Sequence, residues 1–125
     1  MSKFNKILVV DDAELDRTTL TKILEKNGYS VISAIDGPEG IQKAKTEAPD
    51  CIIMDVVMPT LSGFEAVRLL GGAAETKNIP VIICSTKGLQ TDQKWALRIG
   101  AKDYIVKPIK EEEVIAKLKA VESAA

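Results

Sequence analysis

Cys51-Ile52-Ile53-Met54-Asp55-Val56-Val57-Met58-Pro59 is a short apolar run that meets one carboxylate and is stopped by proline four residues later. A run of this kind, apolar without alternation, is the pattern of a strand buried on both faces of a parallel sheet. Asp55 then stands at the carboxyl end of the strand, where open α/β sheets place their ligand sites. Two further runs end in polar groups: Ile7-Leu8-Val9-Val10 before Asp11-Asp12, and Pro80-Val81-Ile82-Ile83-Cys84 before Ser85. A fourth, Asp103-Tyr104-Ile105-Val106, delivers Lys107-Pro108. Three acids, a hydroxyl and an amine are thereby expected on one rim.

Helical patterns fill the intervals. Ala13 to Asn27 carries Leu20, Ile23 and Leu24 at helical spacing, with Gly28 placed to cap it. Tyr29 to Ile35 predicts a second strand, and Asp36-Gly37-Pro38-Glu39 reads as a helix start with Asp36 as N-cap. Ile41, Ala44 and Ala48 give that helix a narrow apolar stripe. Gly63 opens a third helix with Phe64, Val67 and Leu70 inward. Gln90 to Ile99 is a weaker helix holding the single tryptophan, and a last helix turns Val114, Leu118 and Val121 inward. Five strand-helix units with short connections predict right-handed crossovers and a parallel sheet.

The bulk numbers narrow the classes. The chain has 125 residues, 46% of them apolar, enough for one domain with a real core. A net charge of −1 argues against a general nucleic-acid binder. The opening residues are too soon interrupted by charge for a signal peptide, and no run reaches membrane-spanning length. The expectation is a soluble, cytoplasmic protein without membrane insertion. Histidine is absent, which removes imidazole metal ligands and bases. Cys51 and Cys84 fall inside apolar runs. With Asp55 and Ser85 aligned on neighbouring strands they are three residues out of step, about 10 Å, too far for a disulfide.

Asp11 and Asp12 by themselves read as acids capping the first helix, where negative charge is favoured. Adding Asp55 changes the reading. Unit charges about 4 Å apart repel by about 4 kcal/mol at an effective dielectric near 20, a cost that a hard divalent cation such as Mg²⁺ removes. A carboxylate beside such a cation and an ammonium group can act as nucleophile toward a phosphoryl group, forming an acyl phosphate. Lys107, the Ser85 hydroxyl and the metal would each cover one equatorial oxygen.

Val10-Asp11-Asp12, Met54-Asp55-Val56-Val57-Met58-Pro59, Gly63, Ser85 and Lys107-Pro108, in this order and spacing, resemble the receiver domain of two-component response regulators. The likeness covers almost the whole chain. It implies a flavodoxin-like (βα)5 fold, a doubly wound three-layer sandwich with strand order 2-1-3-4-5. It implies one receiver domain over residues 1–125, core about 5–121, with no effector domain. By the same resemblance Asp55 accepts phosphate from a sensor histidine kinase or histidine phosphotransfer protein. Asp11, Asp12, Asp55 and the Val57 carbonyl bind Mg²⁺, and Lys107, after a cis bond to Pro108, contacts the phosphoryl group. Such a protein is a phosphoacceptor rather than an enzyme with a separate substrate, and a monomer or weak dimer is expected.

In that family the hydroxyl residue, here Ser85, moves toward the phosphoryl oxygens and an aromatic residue, here Tyr104, turns inward behind it. The face made by the fourth helix, fifth strand and fifth helix then changes packing, and partners dock there. On residue type alone Tyr104 reads equally as a half-buried strand aromatic. Trp95 reads as a helix residue covering core or, if exposed on the output face, as a docking anchor. The stretch Ser85 to Trp95, with Thr86-Lys87, Thr91-Asp92 and Trp95, is similar to pilus-associated, chemotaxis-like regulators of twitching motility or phototaxis, the PilH and PilG type. That implies a downstream motility or signalling partner.

Two departures bear on rates. Thr86 stands where many receivers have alanine or glycine and is expected to crowd the site. Val57 offers no polar side chain to orient a hydrolytic water, so the phosphorylated state is expected to persist. Lys87 reads as a solvated lysine, with a phosphoryl contact as the second option. Three alternatives compete. A phosphohydrolase of the aspartate-nucleophile class wants a second acid where Val57 stands. An FMN carrier needs a phosphate-cradling first loop, which Asp11-Asp12 would repel. A phosphorylation-independent binding module keeps the fold but has no use for the intact acids, Ser85 and Lys107.

Overall fold

Four of the apolar runs became strands whose side chains alternate between two helical layers. The computed structural model describes residues 4–124. In chain order it places β1 Lys6–Val10, α1 Glu14–Lys26, β2 Ser30–Ala34, α2 Gly37–Glu47, β3 Cys51–Met54, α3 Gly63–Gly71, β4 Val81–Ser85, α4 Gln90–Arg98, β5 Asp103–Val106 and α5 Glu111–Ala124. All strand pairs are parallel and the order is β2-β1-β3-β4-β5, the expected flavodoxin-like arrangement.

Each strand feeds both sides of the sheet because successive side chains point in opposite directions. Leu8, Val10, Ile52, Met54 and Ile83 pack with Ala44, Ala66, Val67, Leu70 and Ala96, so α2, α3 and α4 cover one face. Ile7, Val9, Ile53, Ile82 and Ile105 pack with Leu20, Leu24, Val114 and Leu118, so α1 and α5 cover the other. The result is a three-layer sandwich. The second layer is tied to the chain's beginning: the Phe4 N–H donates to the buried Glu122 carboxylate at 2.5 Å.

Two expectations change in detail. On α2, Ala48 is not part of the buried stripe. It is exposed and ends the helix in the left-handed region, φ 45°. Burial falls instead on Gly37, Gly40 and Ala44. A Cβ on Gly40 would lie 2.8 Å from the Val10 side chain, so the missing methyl is what lets α2 approach β1. The second change is register. Met54 pairs with Ile83, which aligns Asp55 with Cys84 and leaves Ser85 one position further along. Cys51 and Cys84 are then four residues out of step rather than three, still beyond disulfide reach; both thiols are free and buried.

Candidate functional site

β1 and β3 end side by side, so the groups that follow Val10 and Met54 share one rim. The Asp55 N–H donates to the Val10 carbonyl (3.0 Å) and the Asp11 N–H to the Ala34 carbonyl (3.1 Å), extending the sheet under both acids. Asp55 is 7% exposed. Its Oδ1 accepts from the Val56 N–H (2.7 Å) and the Val57 N–H (3.3 Å), and its Oδ2 from Lys107 Nζ (3.1 Å). Asp11 is 1% exposed; Oδ1 accepts from the Ala13 N–H (2.9 Å) and Oδ2 from Lys107 Nζ (2.8 Å). That first bond satisfies the N–H of Ala13, the N-cap residue of α1, which has no side-chain cap of its own. Asp12 is exposed, yet one carboxylate oxygen from each of Asp11, Asp12 and Asp55 lies within 4.8 Å of the others.

The loop after Asp55 holds its shape through one glycine. Gly63 N–H donates to the Val56 carbonyl at 2.8 Å, and a Cβ there would meet the Asp55 carbonyl oxygen at 2.1 Å. Ser62 caps α3 by accepting from the Glu65 N–H, so the helix starts directly beneath the acid.

Lys107 arrives from the other side of the rim. Its N–H donates to the Ser85 carbonyl (2.9 Å), and its bond to Pro108 is cis, as the resemblance implied. The ammonium reaches Asp11, Asp55 and, at 2.7 Å, Asp16 on α1. Burial alone would lower the lysine pKa. The hydrogen bonds it donates to Asp11 and Asp16 and the charge of Asp55 overcome that and raise it, so the amine stays charged. Burial, with the repulsion of Asp55 added, raises the Asp11 carboxyl above its ordinary value even against its bonds from Lys107 and Ala13. Three carboxylates, those of Asp11, Asp16 and Asp55, thus share one ammonium.

On β4, Ser85 is fully buried, and its Oγ accepts from the Lys87 N–H at 3.3 Å. Tyr104 is 3% exposed, so the ring lies inside rather than half-buried. Its hydroxyl donates to the Lys87 carbonyl in the β4–α4 loop. Burial first, then the charges of Asp92 and Asp55, push the phenol up to about 12, which keeps it a donor. Thr86 and Lys87 are exposed, and Lys87 Nζ lies 4.0 Å from Asp92. Val57 is 58% exposed, and its N–H donates to the Asp55 carboxylate. Trp95 is 41% exposed and lines a shallow groove with Arg68, Gly71 and Gly72, on the side of α4 that meets α3. Burial pushes both thiols up to about 12, so neither cysteine is a nucleophile here.

Asp16 and Arg17 were not anticipated from sequence. Arg17 Nη1 donates to the Asp11 carbonyl at 2.8 Å, fastening α1 to the end of β1. Their spacing from Asp11 has no meaning until the helix direction is known.

The comparisons with known proteins agree with this geometry. Over 116 residues the chain is 47% identical to Protein PilH of Pseudomonas aeruginosa, covering 93% of this chain and 96% of that protein. Other curated relatives are transcriptional regulatory proteins, of which the chain spans about half, 48% and 51% of two. Among solved structures, Vibrio cholerae chemotaxis protein CheY4 superposes with a TM-score of 0.88 at 32% identity, covering 94% of this chain and 98% of that one. The receiver domain of a Pseudomonas aeruginosa sensor histidine kinase, which holds a magnesium ion in its active-site cleft, gives 0.85 at 30%, covering 94% and 96%. Residues 7–119 match the response regulator receiver domain, and the chain belongs to that family.

Proposed function

We propose that the chain acts as a receiver in a two-component phosphorelay, with Asp55 as phosphoacceptor. The observation that carries this is the position of one Asp55 carboxylate. It lies at 3.1 Å from a charged, buried ammonium and within 4.8 Å of two further carboxylates. An all-oxygen, strongly negative donor set beside a single ammonium, that of Lys107 among the described residues, is what Mg²⁺ selects. Asp11, Asp12, Asp55 and the Val57 carbonyl would hold it, and it would offset charge on the transferring phosphoryl oxygens.

The chain's own residues do the rest. A phosphohistidine of a sensor kinase or phosphotransfer protein presents phosphorus to Asp55. A lone pair of the Asp55 carboxylate forms the O–P bond, the P–N bond breaks, and its electron pair leaves on the donor imidazole. The Val56 and Val57 N–H groups steady the carboxylate during attack, and Lys107 neutralises one phosphoryl oxygen. Ser85 donates its hydroxyl to a second oxygen. That movement frees the Lys87 N–H and shifts the loop that Tyr104 grips through the Lys87 carbonyl. The packing change reaches the α4-β5-α5 face, where a downstream motility or signalling protein reads it. The likeness to Protein PilH supports a role in pilus-based motility or chemotaxis-like signalling. Among the described residues no helix is long and apolar enough to cross a membrane.

Incubation with acetyl phosphate and Mg²⁺ tests the reading by intact mass. One phosphoryl group should be gained, and lost on adding a chelator beforehand or in Asp55→Asn. No gain with acetyl phosphate or a phosphorylated kinase would favour the phosphorylation-independent binding module.

A further inference from the structure

Asp16 lies on the first turn of α1 and not at the end of a strand, yet its Oδ2 makes the shortest of the three bonds from Lys107 Nζ. An ammonium has three N–H donors, and all three are spent on Asp11, Asp16 and Asp55. The Lys107 side chain is only 8% exposed, so it has little access to water as a substitute partner. Asp16 is 31% exposed, and its carboxylate sits where the N-terminal dipole of α1 favours negative charge.

Two of the three acceptors have other work if Asp55 is the phosphoacceptor, and the consequences below rest on that reading. Asp11 must turn a lone pair to the cation, and the Asp55 carboxylate oxygen is taken up in the acyl phosphate bond. Asp16 alone keeps its carboxylate throughout. Its neighbour Arg17 fastens the helix to the Asp11 carbonyl at 2.8 Å, so the carboxylate stays near the rim.

We propose that Asp16 is a positioning residue that acts through Lys107. It holds the ammonium over Asp55 while Asp11 is surrendered to the cation, and it keeps the amine from competing with that cation for the other two acids. Without it, Lys107 must lean on Asp11 and Asp55, the groups Mg²⁺ needs.

Asp16→Ala suits the test, because the side chain is partly exposed and alanine is a good helix former. Expected are a phosphorylation rate with acetyl phosphate lower by about tenfold and a higher Mg²⁺ concentration at half-maximal rate. Asp16→Glu should recover most of both. In a Lys107→Ala background, Asp16→Ala should change neither. ¹⁵N-lysine spectra of the metal-free chain supply a readout independent of turnover. A slowly exchanging Lys107 ammonium signal should be present in the wild type and Asp16→Glu and lost in Asp16→Ala. An unaltered signal in Asp16→Ala, or equal effects with and without Lys107, overturns the proposal. A signal that depends on Asp16 in a chain that takes no phosphate supports the clamp and overturns the phosphoacceptor reading instead.

Discussion

Gly63 stands so close to Asp55 that a single added methyl would lie 2.1 Å from the Asp55 carbonyl oxygen. The obstacle is backbone, which cannot rotate away as a side chain could. Gly63→Ala must therefore push α3 off the loop that carries the Val56 and Val57 N–H groups to the Asp55 carboxylate. A loss of about 1–3 kcal/mol in urea unfolding is expected, toward the upper end. The phosphorylation rate should fall with it. A variant of unchanged stability would mean that the helix start yields more easily than its contacts imply.

Asp11 makes the metal-free protein sensitive to pH in an unusual direction. Its folded-state pKa is raised above the ordinary 3.8 by burial first, so the native state holds its proton more tightly than the unfolded chain does. Stability from this group is therefore present at low pH and lost as pH rises from about the ordinary value through the raised one. Asp11→Asn removes that loss. Without Mg²⁺ its melting temperature should exceed the wild type's at pH 7, by about 4 °C for each kcal/mol regained in a domain of this size. The difference should shrink below pH 4. Mg²⁺ should then stabilise the wild type and leave the variant nearly unmoved.

Lys107 offsets the repulsion of three carboxylates while the cation is absent. Lys107→Ala should destabilise the metal-free chain by about 1–3 kcal/mol, below the full cost of a deeply buried pair because Asp12 and Asp16 keep contact with water. Removing the competing ammonium should make the gain in melting temperature on adding Mg²⁺ larger than in the wild type. Phosphorylation should slow all the same, since no charge then meets the phosphoryl oxygen.

Val57 presents an exposed aliphatic side chain two residues after Asp55, the proposed phosphoacceptor. Val57→Asn supplies an amide able to orient water for attack on the acyl phosphate. Loss of the phosphoryl group, followed by phosphate release after the donor is removed, should quicken severalfold. An unchanged rate would assign the lifetime to something other than this position.

Much of this was legible from residue type. Four of the five strands announced themselves as apolar runs, because a sheet covered on both faces demands hydrophobic side chains in both directions. Asp11, Asp55, Ser85 and Lys107 were visible as polar groups at the ends of those runs. Asp16 was not, because it belongs to the site only through the direction in which α1 leaves β1. Gly40 was passed over in favour of Ala48 since helical spacing counts methyl groups, while the contact with Val10 depends on one being absent. The one-residue shift that aligns Asp55 with Cys84 lay in backbone hydrogen bonding, to which apolar runs carry no register mark. The inward ring of Tyr104 rests on a bond to the Lys87 carbonyl, a main-chain group that no motif displays.

Reduction with borohydride tests the central claim most directly, because it converts an aspartyl phosphate to homoserine at the modified position and leaves a free aspartate alone. After treatment with Mg²⁺ and acetyl phosphate, peptide mapping should find homoserine at position 55 and nowhere else, and none when a chelator is present from the start. Homoserine at position 11 or 12, or an unmodified Asp55 in protein that has gained phosphate, would contradict the account.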